Sequence, residues 1–366
     1  MRNMFLFAAL LAAGMTVSAW MGIEDSHPES GRSTQLNSSQ KHPLLREGEV
    51  LIWDPNSSPR PPVPAPAPRA RRGSGQASET AGLAVGQDFG PHYEPAYSSH
   101  KFYQSTRRLE SLAKPLGRPR PGDWRSQVRE PEQDFGQFVH DSRRANGALV
   151  IQPIGDLPKD QKRAIGHLLD SLSAFFGMRA VCAAPLPLSE LPSRCFRQIG
   201  GTRQINAEAL MDLILRPLAG GEVSAVVAIT DFDLYPGESW PFATAFGWSS
   251  FNAGAAVVST ASILKGTSAG RESGLLRLTK LCLHEVAHTL ALKHCSRFNC
   301  LMNGSGSLRE SDSKPLALCP DCLAKLSLVT GRAPESHVKD MFELCRSKGF
   351  EAEARHYKSA WRLFGL

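Results

Sequence analysis

The sequence predicts an α/β fold, a mixed sheet flanked by helices. Three observations point to it. Strand-type and helix-type segments alternate from about residue 146 onward. Residues 148–154 and 223–229 are apolar almost throughout, as strands covered on both faces are. Between them, Ile165, Leu168, Leu169, Leu172 and Phe175 recur at helical spacing. In order, the pattern gives a buried strand at 148–154, a helix at 160–177 and a strand within 179–188. A second helix follows at 205–216, stopped by Pro217, and then a central strand at 223–229. Residues 244–248 and 255–259 read as a hairpin or two strands, one at the sheet edge. A long apolar helix runs from about 272 to 290, and 338–347 and 351–363 are closing helices.

The front third differs. Residues 1–19 have the shape of a signal peptide: one positive charge, an apolar run and small residues at the end. That run is too short for a membrane span, which needs about twenty residues. Residues 20–120 are expected to be largely disordered, rich in Pro, Arg and Ser, with seven prolines in 55–68 and a basic cluster at 69–72. A globular domain at 121–345 and a C-terminal helix at 346–366 complete the layout. The net charge is +7, but only 21% of residues are charged and no aromatic-studded basic motif occurs, so nucleic acid is not an expected partner.

The chemistry is concentrated in 284–322. His284 and His288 are four apart and share one helix face, the reach needed for two bonds to one zinc ion. His294 follows six residues later, so the chain must turn after about residue 290 to bring it back. Three ligands leave a fourth position open for water, and Glu285 is placed to act on that water as general base. The implied reaction is hydrolysis of a peptide bond. Cys295, Cys300, Cys319 and Cys322 form a C-x4-C-x18-C-x2-C pattern that reads as a closed structural zinc site. The expectation is therefore two Zn2+ per chain, one catalytic and one structural. Cys182, Cys195, Cys282 and Cys345 lie in apolar surroundings and read as small buried hydrophobes. No cysteine precedes residue 182, which excludes a prosegment that silences zinc with a thiol.

The run His284-Glu285-Val286-Ala287-His288 through His294-Cys295, with Cys300, Met302 and the Cys319-Pro320-Asp321-Cys322 knuckle, resembles the archaemetzincin family of metzincin-clan zinc metalloproteases. Residues 229–236, with Phe246-Gly247 and residues 134–138, are similar to other segments of that family, so the resemblance covers about 120–345. It implies His284, His288 and His294 on the catalytic zinc, Glu285 as base, and the four cysteines on the second zinc. It also implies a metzincin-like layout with a small C-terminal lobe, Met302 as a hydrophobic floor beneath the metal, and a cytoplasmic setting. The leader-like N-terminus points instead to secretory entry, and the compartment stays open. One departure stands out: where the family usually has Gly, this chain has Ala291, which costs roughly 1 kcal/mol if φ must be positive.

A peptide substrate is expected to add itself as a strand along residues 246–258. Tyr235 is the one candidate for a second electrophile, against the simpler reading of a strand-end aromatic. Two rival readings are a zinc-bound interaction module with weak or no catalysis, and a zinc site that takes a downstream Glu in place of His294.

Overall fold

In the computed structural model the described residues are 100–238, 244–264 and 266–365. The leader, the proline-rich stretch and the basic cluster at 69–72 lie outside them. A five-stranded sheet forms the centre, built from β1 (Ala148–Ile154), β2 (Ala180–Cys182), β5 (Val223–Thr230), β7 (Gly247–Ser250) and β8 (Ala255–Ser259) in the order β2-β1-β5-β8-β7. All neighbours are parallel except β7, which returns antiparallel to β8 at the edge. Alternate side chains feed two cores. Leu149, Ile151, Val227 and Val258 face one, and Val150, Val226, Ala228 and Val257 face the other. Burial on both faces is why these strands lack polar alternation.

Helix α2 (Lys159–Phe176) crosses between β1 and β2, with Gly177 in the left-handed conformation at its end. Helix α3 (Glu272–Thr289) packs beside it in the first core. A smaller sheet, β3 (Phe196–Ile199), β4 (Thr202–Asn206) and β6 (Asp233–Tyr235), lies apart in the order β3-β4-β6. The sequence does not announce it, because its strands are three to five residues long. The expected helix at 205–216 starts only at Ala207. Residues 202–206 pair as β4, and the Asn206 side chain caps the helix by accepting from Ala209 N at 3.1 Å. The expected strand within 179–188 shrinks to three residues.

The expectation of disorder to residue 120 fails at its C-terminal end. Helix α1 (Lys101–Thr106) and a 3-10 turn (Arg107–Leu112) bury Thr106 and Leu109. Ser105 donates to Glu335 at 2.5 Å, and Arg107 meets Asp321 at 3.3 Å. Such anchoring by scattered residues leaves no periodic signature. Downstream, helices at Leu308–Ser313, Pro320–Thr330, Pro334–Lys348 and Glu351–Leu363 close the molecule around the four-cysteine cluster. No helix among the described residues is long and apolar enough to cross a membrane.

Candidate active site

Helix α3 presents His284 and His288 one turn apart, both buried. His284 Nδ1 lies 2.9 Å from Leu301 O, and His288 Nδ1 lies 2.6 Å from Leu292 O. A carbonyl oxygen only accepts, so each Nδ1 carries the proton and each Nε2 is left with a lone pair. Those two Nε2 atoms face each other at 3.0 Å. Burial holds both rings well below the usual imidazole range, so neither is charged and neither Nε2 can donate to the other.

The turn back to His294 occurs at Ala291, whose φ is 71°. The sequence requires this reversal, and the chain performs it without the glycine that would make it easy. Neighbouring groups hold it in place. Gln133 donates from Nε2 to Ala291 O at 2.9 Å and accepts from Lys293 N at 3.1 Å, while the buried Lys325 ammonium donates to Gln133 O. His294 then swings in, its ring centroid 4.8 Å from that of His288. One nitrogen from each of the three rings lies within 4.8 Å of the others. The Glu130 carboxylate sits 2.8 and 2.9 Å from His294 Nδ1 and also accepts from Trp124 Nε1 at 3.0 Å. Sequence reasoning missed Glu130, Gln133 and Trp124. Trp124, at the start of a short helix, and Glu130 and Gln133, in the irregular stretch after it, lie more than 150 residues before the His294 and Ala291 groups they meet, and no spacing rule links them.

Glu285 projects toward the edge strand. Its Oε2 accepts from Ser249 Oγ at 2.8 Å. Gly247 makes this approach possible, since a Cβ there would lie 2.8 Å from Glu285 Cγ. Burial pushes the Glu285 carboxyl up to about 7, opposed in part by Ser249 and by the charge of Lys314. The three histidines and Glu285 open into a cavity of about 190 Å³, walled by Thr244–Trp248 on one side and by Trp124, Ser305 and Lys314 on others. Burial likewise pushes Lys314 down to about 8. Tyr235 does not reach this cavity. It is buried at the end of β6 with the Arg197 guanidinium 3.5 Å over its ring.

The cysteines form a second, closed cluster. All four sulfurs lie within 4.8 Å of one another, and Cys295 Sγ is 3.8 Å from Cys319 Sγ. A disulfide needs about 2.05 Å, whereas the edge of a tetrahedron with metal–sulfur bonds of about 2.3 Å is about 3.8 Å. Asn303 ties the loop together, accepting from Cys300 N at 2.8 Å and donating to Cys295 O at 2.7 Å and Phe298 O at 2.9 Å. Met302, fully buried, accepts from Cys295 N at 2.8 Å. The remaining cysteines lie outside both clusters; Cys195, Cys282 and Cys345 are buried as expected while Cys182 is only half-buried, and burial pushes Cys282 and Cys345 up to about 12.

Comparison with known proteins now gives the class, a metallopeptidase: residues 225–328 match the model of peptidase family M54. Archaemetzincin-2 of Macaca fascicularis is 34% identical over 251 residues, covering 58% of this chain and 68% of that protein. The Homo sapiens archaemetzincin-2 matches to the same extent. Archaemetzincin-1 of Homo sapiens is 29% identical over 251 residues, 57% of this chain and 49% of that protein. A crystal structure of archaemetzincin from Methanopyrus kandleri aligns with a TM-score of 0.40 and 28% identity, covering 51% of this chain and 95% of that one. The chain belongs to the archaemetzincin family, a family of zinc metallopeptidases.

Proposed function

We propose that the chain hydrolyses peptide bonds at the histidine cluster, with one zinc ion held by His284, His288 and His294 and a second by Cys295, Cys300, Cys319 and Cys322. The observation that carries the reading is the pair of neutral imidazoles whose lone pairs meet at 3.0 Å. Such a contact is repulsive by itself and becomes favourable around a shared cation. The hydrogen bonds at each Nδ1, to two carbonyls and to Glu130, are the outer partners that fix ring orientation in metal-binding histidines.

When bound, the zinc supplies a Lewis acid that polarises the scissile carbonyl and makes water a better nucleophile. Everything else falls to the chain. Glu285 takes the proton of the attacking water and hands it to the leaving amine. A carboxylate at the cavity wall can do both, and Ser249 holds its Oε2 in place. β7, at the sheet edge and in the cavity wall, is where an extended peptide would pair as an added strand. The catalytic unit includes residues 100–120, because that segment is anchored to the body of the domain.

The test is turnover of a mixed peptide library by the zinc-loaded protein, with and without a chelator. Chelator-sensitive cleavage is expected, lost in Glu285→Gln while zinc is retained. Zinc-replete protein that cleaves nothing would favour an interaction module instead.

A further inference from the structure

We propose that Lys314 and Ser305 form a subsite for a carboxylate group of the peptide substrate, giving the enzyme a preference for acidic ligands. The inference rests on the hydrolytic reading of the cavity and adds a substrate class to it.

Lys314 is 7% exposed, yet its ammonium makes one hydrogen bond, to Asn303 O at 2.9 Å. Two of its three N–H groups have no acceptor among the described residues. Among the described residues no carboxylate lies within ion-pair distance, although Glu285 and Glu310 act on the ammonium through space. Glu310, four residues earlier, is occupied by Trp124 N at 3.0 Å and Gly306 N at 2.7 Å. Glu285 is held by Ser249. Lys314 is also the one lysine or arginine lining the cavity among the described residues. The second observation is Ser305. It lines the same cavity, and its buried Oγ has no hydrogen-bond partner among the described residues.

Other buried lysines behave differently. Lys280 donates to Lys314 O at 2.6 Å and faces Glu353 at 3.7 Å, while Lys325 donates to Gln133 O and lies 3.4 Å from Gln133 Oε1. Both are structural, and neither lines the cavity. A buried ammonium short of acceptors is costly unless a ligand completes it. A carboxylate is the complement, because it accepts from an ammonium and a hydroxyl at once. That carboxylate comes either from an acidic side chain or from a peptide C-terminus.

The test is calorimetric binding to zinc-loaded Glu285→Gln protein, which needs no turnover. One peptide pair carries a free C-terminal carboxylate or its amide. The other carries an internal Glu or Gln, with both ends blocked. Binding of one acidic member at least about tenfold tighter than its neutral partner is expected, the size of a charge-assisted hydrogen bond, and the pair that shows it names the source. Adding Lys314→Met should bring that ratio to about one. Ser305→Ala, a milder change, should reduce it about two- to threefold and decides the matter if Lys314→Met does not fold. Ratios near one in both pairs, or a preference that survives both substitutions, would overturn the subsite. Chelator-sensitive cleavage without acid preference would remove the subsite and leave the hydrolytic reading. Acid preference without cleavage of any peptide would do the reverse.

Discussion

The histidine and cysteine clusters are adjacent in the chain, joined at His294-Cys295, and are built on opposite principles. The cysteine cluster is packed shut: Cys300, Cys319 and Cys322 are buried, and Asn303 and Met302 lace the loop that carries Cys295. The histidine cluster is packed behind and open in front, with each Nδ1 spent on an outer partner and a cavity left before the rings. A structural site needs its metal enclosed, whereas a catalytic one needs a face left uncovered. On the proposed reading, the closed cysteine cluster serves the fold and the open histidine cluster serves the substrate.

The comparison can be broken most forcefully at the cysteines. Cys319→Ser with Cys322→Ser should unfold the C-terminal part or prevent soluble expression. Structural zinc supplies about 10–16 kcal/mol in small metal-dependent folds, more than a domain can lose. His284→Ala with His288→Ala should instead keep the far-UV circular dichroism of the parent; collapse of the histidine variant alone would invert the assignment. Next in size is Glu285→Gln, for which peptide hydrolysis should fall by about 10²- to 10⁴-fold while the zinc content is unchanged.

A third contrast sets the trio against His337, a buried histidine outside both metal-type clusters among the described residues. Its Nδ1 meets Phe175 O at 2.8 Å, and burial pushes it down to about 3. The unfolded chain takes up this proton near pH 6.5 and the folded one does not. Stability from this group is therefore complete above about pH 6.5 and lost as pH falls toward 3, by an amount on the order of several kcal/mol. His337→Gln should flatten the acid side of the urea-unfolding stability profile. An unchanged slope would show that His337 is protonated in the fold.

Glu130→Gln comes next. It removes the carboxylate that orients His294, so zinc affinity at the histidine cluster should weaken about 10- to 100-fold. The cysteine cluster should hold its metal as before, as titration with a competing chelator would show. The smallest effect belongs to Ala291→Gly. Relief of the positive φ, worth about 1–2 kcal/mol, slightly exceeds the entropy added to the unfolded chain, worth about 0.4–1 kcal/mol. A small rise in Tm with unchanged zinc is expected.

Much of this was legible in the sequence, for physical reasons. The central strands are continuously apolar, and the ligand-type residues fall on helical and knuckle spacings, so local pattern suffices to bring His284, His288 and the four cysteines to notice. Even the reversal at Ala291 follows from the offset of His294. What stayed hidden depends on distant partners. Glu130, Gln133 and Trp124 act across more than 150 residues, Gly247 matters only because Glu285 leans on it, and Lys314 is ordinary until its burial is known. The smaller sheet was missed because its strands are too short to show a period.

The central claim is that the three histidines hold a zinc ion distinct from that of the cysteines. Its most direct measurement is zinc per chain in the purified parent and in His284→Ala/His288→Ala protein that remains folded. The account predicts two in the parent and one in the variant. Two in both, or one in both, would contradict it.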